Sequence, residues 1–263
     1  MDLGLKGKVV MVGGASKGIG KATALGFARE GAKVAISARD PAQLEATAEE
    51  IRKETGAEIL AVPGDLSKLE ATDQFLDETI KKFGTIHVVV ANTGGPPLGG
   101  FGNMSDADWE SAFSLNFLST VRLFRKAIPF MQKQKWGRLL SVMSMSVKEP
   151  IDGLILSNGV RPAVVGMAKT LSREVGKDNI TVNTILPGRI LTDRLRSGLA
   201  ARAQRTGKTI EQTLEDSGAD VPLGRVGDPK EMANVIVFIG SEAGSYVNGV
   251  AVQVDGGLLR GLL

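Results

Sequence analysis

The sequence predicts an α/β protein: a Rossmann-type doubly wound parallel sheet of about seven strands, flanked by helices. Three observations predict it. Seven short apolar, β-branched runs recur along the chain, amphipathic windows of helical length separate them, and a glycine-rich turn follows the first run. The runs lack polar alternation, which is the pattern of strands covered on both faces.

Taken in order, the expected strands are 8–12, 33–37, 58–62, 87–91, 138–143, 181–186 and 250–254. Helical windows fill the gaps at 19–30, 41–54, 68–83, 106–132, 155–175 and 230–240. Asp40 before Pro41 supplies an N-cap followed by a first-turn proline, and Asp228-Pro229 with Glu231 repeats the device. Alternating strands and helices imply right-handed crossovers within one sheet. No linker, repeat or low-complexity tract divides the chain, so residues 1–263 read as one domain.

One segment breaks the rhythm. Residues 190–222 form a long connection with helical pieces at 195–204 and 210–217, a length typical of a substrate lid. Its first part is basic (Arg189, Arg194, Arg196, Arg202, Arg205, Lys208) and its second acidic (Glu211, Glu215, Asp216, Asp220). A solvated helical hairpin and an anion-binding surface both fit.

Composition narrows the chemistry. The chain has no Cys and one His, so thiol nucleophiles, Cys-ligated metals and sites needing two imidazoles are excluded. No carboxylate cluster has metal-ligand spacing, so no metal is expected. The net charge of +3 is small and interspersed, which argues against a nucleic-acid partner. No window approaches the roughly 18 apolar residues of a membrane span, and the first residues lack a signal peptide's apolar stretch. A cytoplasmic protein without a membrane partner is the expectation.

The turn Gly13-Gly14-Ala15-Ser16-Lys17-Gly18-Ile19-Gly20 leads directly into a helix. Glycines at 14, 18 and 20 let the backbone approach a pyrophosphate, and the helix N-terminus supplies N–H donors and a positive dipole end. Placed after the first strand of a long β/α chain, this is a strong dinucleotide signal. The second strand ends in Ser37-Ala38-Arg39 without the carboxylate that an NAD site places on the ribose. Ser37, Arg39 and Lys17 suit a 2′-phosphate instead, which selects NADP(H) as cofactor. Asp40 lies nearby, but its place before Pro41 suits a cap.

With these residues the chain resembles the short-chain dehydrogenase/reductase family, most of all its 3-oxoacyl-acyl-carrier-protein reductases. Ala91-Asn92-Thr93-Gly94 is similar to the family's Asn-Asn-Ala-Gly segment, Pro187-Gly188 with Ile190 and Thr192 to its nicotinamide-side motif, and Val254-Asp255-Gly256-Gly257 to its C-terminal strand. The resemblance covers essentially the whole chain. It implies that Asp65 and Leu66 lie at the adenine, Asn92 along the adenosine ribose, and Gly94, Pro187, Gly188, Ile190 and Thr192 along the rest of the dinucleotide, with Ser16 and Ile19 in the phosphate loop. It also implies a homo-oligomer, dimer or tetramer, formed through the two longest helices and the last strand.

The same resemblance assigns catalysis to an Asn, a Ser and a Tyr-x3-Lys pair. Asn116 and Ser144 match the first two, whereas the Tyr and Lys positions are Ser157 and Arg161. The flanking Val164-Val165-Gly166-Met167-Ala168-Lys169 aligns without gaps. A Ser hydroxyl is a far weaker acid than a phenol with a pKa of about 10. Arg161 keeps its proton, so it suits ribose hydroxyls or an oxyanion rather than proton passage. The lone Tyr246 lies far along the chain and reads as a packed ring near a subunit contact; His87 reads as structural. Lys148, beside Glu149 in the loop after Ser144, is either a proton source or a solvated loop residue.

Two functions follow. The first is an NADP(H)-dependent oxidoreductase reducing a carbonyl or conjugated enone of a small molecule or acyl thioester, with atypical proton delivery. The second is a catalytically impaired NADP(H)-binding pseudoenzyme acting as sensor or scaffold. Retention of Asn116 and Ser144 favours the enzyme.

Overall fold

The computed structural model describes residues 2–262. Seven parallel strands form one sheet: β1 (Val9–Gly13), β2 (Lys33–Ala38), β3 (Ile59–Pro63), β4 (Val88–Ala91), β5 (Gly137–Val142), β6 (Ile180–Pro187) and β7 (Ala251–Val254). Their spatial order is β3-β2-β1-β4-β5-β6-β7. The order reverses between β1 and β4, and the crevice beyond the strands' carboxyl ends at such a switch point is where this architecture takes its ligands. The fold class read from the periodicity is the one observed.

Alternating side chains divide the core into two layers. Val10, Val12, Val34, Ile36, Val88, Val90 and Leu140 pack on one face against α1 (Gly18–Arg29), α2 (Pro41–Thr55) and α9 (Pro229–Ile239). Met11, Ala35, Val89, Leu139 and Val182 point the other way, toward α3 (Leu69–Phe83), α5 (Ser119–Gln134) and α6 (Ile155–Val175). That both faces are covered explains why the strands read as unbroken apolar runs. Asp40 accepts from the Gln43 N–H at 3.1 Å, and Asp228 with Glu231 forms a reciprocal capping box, so both caps work as their sequence implied.

The helix expected at 106–132 is not continuous. It begins as α4 (Asp106–Phe113), passes through one π turn at Ser114–Leu118, and resumes as α5. Residues 193–219 hold two further helices, α7 (Asp193–Thr206) and α8 (Ile210–Ala219), which pack on each other. Opposite charges around them meet in pairs, Lys208 between the helices with Asp216 of α8 at 2.6 Å and Arg189 before α7 with Asp220 after α8 at 2.7 Å. Among the described residues no helix is long and apolar enough to cross a membrane.

His87 is structural. Its Nδ1 accepts the Val9 N–H at 2.9 Å and its ring meets Trp136 edge-on. Burial, then the Lys8 ammonium, lower its pKa to about 4, so the ring is neutral at pH 7. Tyr246, expected as a packed ring near a subunit contact, is fully exposed within the protomer. Two residues earlier Gly244 packs so closely that a Cβ would collide with the Phe238 carbonyl and the Ile239 backbone.

Candidate active site

The crevice is built from the loops that leave β1, β2, β4, β5 and β6. The first has glycine where backbone geometry requires it. Gly14 and Gly18 adopt φ of +56° and +58°, and a Cβ on Gly20 would lie 2.3 Å from the Gly14 carbonyl oxygen. Lys17 stands at the N-cap of α1 without a side-chain cap, leaving that helix end's N–H groups open to a ligand. Ser16 is held from behind, its carbonyl accepting from the Thr47 hydroxyl at 2.8 Å, while Ile19 packs on the core.

Several predicted cofactor residues support this loop rather than face outward. Asn92 donates from Nδ2 to the Gly13 carbonyl at 3.0 Å, and buried Leu66 packs directly over Gly13. Asp65 caps the turn that starts α3, accepting from the Ser67 N–H at 3.0 Å. At the end of β2, Ser37 is buried with its hydroxyl oxygen unpartnered, and exposed Arg39 follows two residues later. Lys17 extends toward α7, 3.2 Å from Asp193, in an exposed pair that contributes little.

The β6 side closes the crevice from across the switch point. Gly188 follows Pro187 and cannot carry a side chain, because a Cβ would meet the Asp255 backbone at 2.6 Å. Ile190 is buried and bridges to Gly227. Thr192 caps α7, accepting from the Leu195 N–H, and its methyl lies against Gly18. The phosphate loop and the β6 loop therefore touch.

The β4 loop is fixed by the π turn. Asn116, fully buried within it, donates from Nδ2 to the Thr93 hydroxyl and to the Gly94 carbonyl, while its Oδ1 is unpartnered. π turns commonly mark functional sites. From α7, Arg194 reaches the same loop, donating to the Gly95 and Pro96 carbonyls at 3.0 and 2.9 Å.

Beyond β5, Ser144 accepts from the Ser146 N–H, and the Ser146 hydroxyl lies 3.1 Å from that of Ser157. One turn along α6, Arg161 donates from Nη1 to the Met143 and Val142 carbonyls, and its Nε has no partner. Burial, then the Arg194 charge, pull its pKa down to about 10, leaving it a cation at pH 7. The structure thus brings Ser144, Ser157 and Arg161 together. Lys148 stands apart, exposed on the loop, with Nζ 3.4 Å from Gln253 of β7.

Thr93 and Ser146 escaped the sequence reading, since each acts only as a partner of another side chain and no spacing marks it. Arg194 carried a signal, the basic composition of its segment, but not its direction. The open helix end, the left-handed glycines, the unpartnered Ser37 hydroxyl and free Arg39 fit a phosphorylated dinucleotide.

Comparison with known proteins agrees with this geometry. Residues 14–259 match the sequence family described as enoyl-(acyl carrier protein) reductase. The chain is 33% identical to the 3-oxoacyl-[acyl-carrier-protein] reductase of Thermotoga maritima, over 97% of this chain and 99% of that one. Its structure is similar to that of L-sorbose reductase from Gluconobacter frateurii complexed with NADPH and L-sorbose, with a TM-score of 0.96, 33% identity and full coverage of both chains. It is also similar to YwfH, an NADPH-dependent reductase involved in bacilysin biosynthesis (TM-score 0.93, 26% identity, 98% of this chain and 100% of that one).

Proposed function

The chain belongs to the short-chain dehydrogenase/reductase family, and from that premise we propose that it is an NADP(H)-dependent reductase of a carbonyl or conjugated enone whose proton does not come from a phenol. The observation that carries the second half is the pair Ser157 and Arg161 on α6, facing the end of β5, where a Tyr and a Lys are expected by family resemblance.

Gly14 to Gly20 and the α1 N-terminus hold the dinucleotide's diphosphate, while Ser37 and Arg39 take a 2′-phosphate. NADPH-bound relatives of similar structure support the choice of cofactor. When bound, it supplies a hydride to an electrophilic carbon. Ser144 and Ser157 orient the substrate oxygen, and buried Arg161 stabilises negative charge that develops there. Arg161 keeps its proton at neutral pH, so the proton that completes the reduction comes from water. A conjugated enone suits this chemistry best. Addition at its β-carbon leaves an enolate, which water protonates without a strong general acid.

The α7–α8 segment forms the substrate lid over a single-domain body, held to the β4 loop by Arg194. The half-buried edge strand β7 and exposed Tyr246 beside it support a homo-oligomer. A small-molecule acceptor and an acyl thioester both remain substrates to test.

The test is turnover. NADPH absorbance is followed with a panel of ketones, enones and acyl thioesters, and oxidation fastest with an enone is expected. No turnover with any member, together with intact NADPH binding, overturns the enzyme and leaves a cofactor-binding pseudoenzyme, the reading that fixed Arg161 would then favour.

A further inference from the structure

Ser146 is a buried polar residue that the reductase reading leaves without a task. It lies in the short helical turn after Ser144, and its hydroxyl has one partner among the described residues, the Ser157 hydroxyl at 3.1 Å. Ser157 is buried too and has no other side-chain partner among those residues. The Ser146 backbone N–H goes to the third hydroxyl of the group, donating to Ser144 Oγ at 3.1 Å. One residue therefore touches both side chains that orient the substrate oxygen.

The backbone around these hydroxyls is fixed from several sides. Arg161 donates to the Val142 and Met143 carbonyls and so holds the strand end that carries Ser144. Asn158, next to Ser157, exchanges two hydrogen bonds with the Ile151 backbone, at 2.9 and 3.4 Å. Where α6 begins, the Gly99 N–H donates to the Gly153 carbonyl at 2.8 Å, and the Ile155 N–H donates back to the Gly99 carbonyl at 3.4 Å. What stays free is the rotation of the hydroxyl protons.

A serine hydroxyl has one proton and two lone pairs, and it turns to suit its neighbours. Two hydroxyls that face each other use only one proton between them. The second proton of the Ser146–Ser157 pair has no acceptor among the described residues, so an arriving acceptor decides where it points. A substrate oxygen at Ser157 settles the order: Ser146 donates to Ser157, and Ser157 donates to the substrate. Hydrogen bonds in such a chain strengthen one another by roughly 10–30% each.

We propose that Ser146 is a positioning residue for this reaction, whose hydroxyl donates to Ser157 Oγ and turns the Ser157 proton toward the substrate oxygen. The proposal rests on the reductase reading, which places that oxygen at Ser157.

The probe is 4-(dimethylamino)cinnamaldehyde, a conjugated enal. Its visible band moves to the red when its oxygen accepts a hydrogen bond, and it bleaches when the enal is reduced. With the full chain and NADP+, where no reduction occurs, a red shift is expected. Ser157→Ala is expected to lose most of that shift and Ser146→Ala a smaller part. With NADPH, bleaching by Ser146→Ala is expected to be about fivefold slower than by the parent chain, the worth of one neutral hydrogen bond. In the Ser157→Ala background the same substitution is expected to change neither reading, because the group it acts through is gone. A serine that merely packs would act equally in both backgrounds.

An unshifted band in the parent chain overturns the proposal. So does a Ser146→Ala chain that keeps the parent's shift, a Ser146→Ala effect confined to melting temperature, or one that persists in the Ser157→Ala background. A band that shifts with NADP+ but never bleaches with NADPH is a different result: it overturns the reductase reading, while the shifts of the four chains still decide the role of Ser146.

Discussion

The amide nitrogen of Asn116 lies 2.9 Å from the Thr93 hydroxyl and 3.1 Å from the Gly94 carbonyl, so one helix side chain fixes the loop that leaves β4. Asn116→Ala removes two buried hydrogen bonds and leaves the Gly94 carbonyl without its donor. A loss of about 2–3 kcal/mol is expected, read as a melting temperature lower by about 5–10 °C. Asn116→Asp, which turns an acceptor toward that carbonyl, is expected to melt no higher than the Ala variant. A melt unchanged in both would show that the loop holds itself.

Cofactor choice depends on Arg39, exposed at the end of β2 and free of any ion pair among the described residues. Arg39→Asp places a carboxylate where a 2′-phosphate is expected. The Kd for NADPH should rise by about 30-fold or more, while that for NADH falls. Fluorescence titration with both nucleotides checks it, and an unchanged ratio would remove Arg39 from the site.

His87 predicts a specific acid sensitivity. Its folded pKa of about 4 lies below the 6.5 of an unhindered imidazole. The unfolded chain therefore binds the proton first, and the stability from the neutral ring, present above pH 6.5, is lost as pH falls toward 4. With partial solvent access discounted, the loss is on the order of 2 kcal/mol. His87→Gln keeps an acceptor for the Val9 N–H without a titrating ring, so its denaturant midpoint should vary less across that window than the parent's. Parallel curves would assign the acid sensitivity to carboxylates instead.

Catalysis without a phenol has its own pH signature. For enone reduction, kcat/KM should be flat from about pH 6 to 9, with an alkaline limb only toward about 10, where Arg161 has lost half its charge. The double variant Ser157→Tyr with Arg161→Lys should gain turnover of neutral ketones and acquire an alkaline limb below that. A bell-shaped profile in the parent chain would point to a titrating proton donor that the crevice described above does not contain.

How much of this was legible in the sequence follows from range. The strands, the helices, the capped starts at Asp40 and Asp228 and the left-handed glycines are local, each fixed by the period or chemistry of a few neighbouring residues. Side-chain direction was not legible. Asn92 turned out to prop the glycine loop, Lys17 to meet Asp193, and Arg161 to clasp the end of β5, all through contacts between segments distant in the chain. Tyr246 shows the same limit from the other side: residue type alone does not tell a ring that covers its own core from one that stands out from the protomer.

The π turn at Ser114–Leu118 carries a consequence for how this chain tolerates insertion and deletion. A π turn holds one residue beyond what the α-helical ladder accommodates, at some expense in hydrogen-bond geometry. Removing one residue there would restore an uninterrupted helix from Asp106 to the end of α5, keep the flanking turns in place and re-aim the side chains of the turn itself. Such a shortened chain should be the better folder, with Asn116 no longer facing Thr93. Robustness and competence are set against each other at a single extra residue, and the sequence has kept the extra residue.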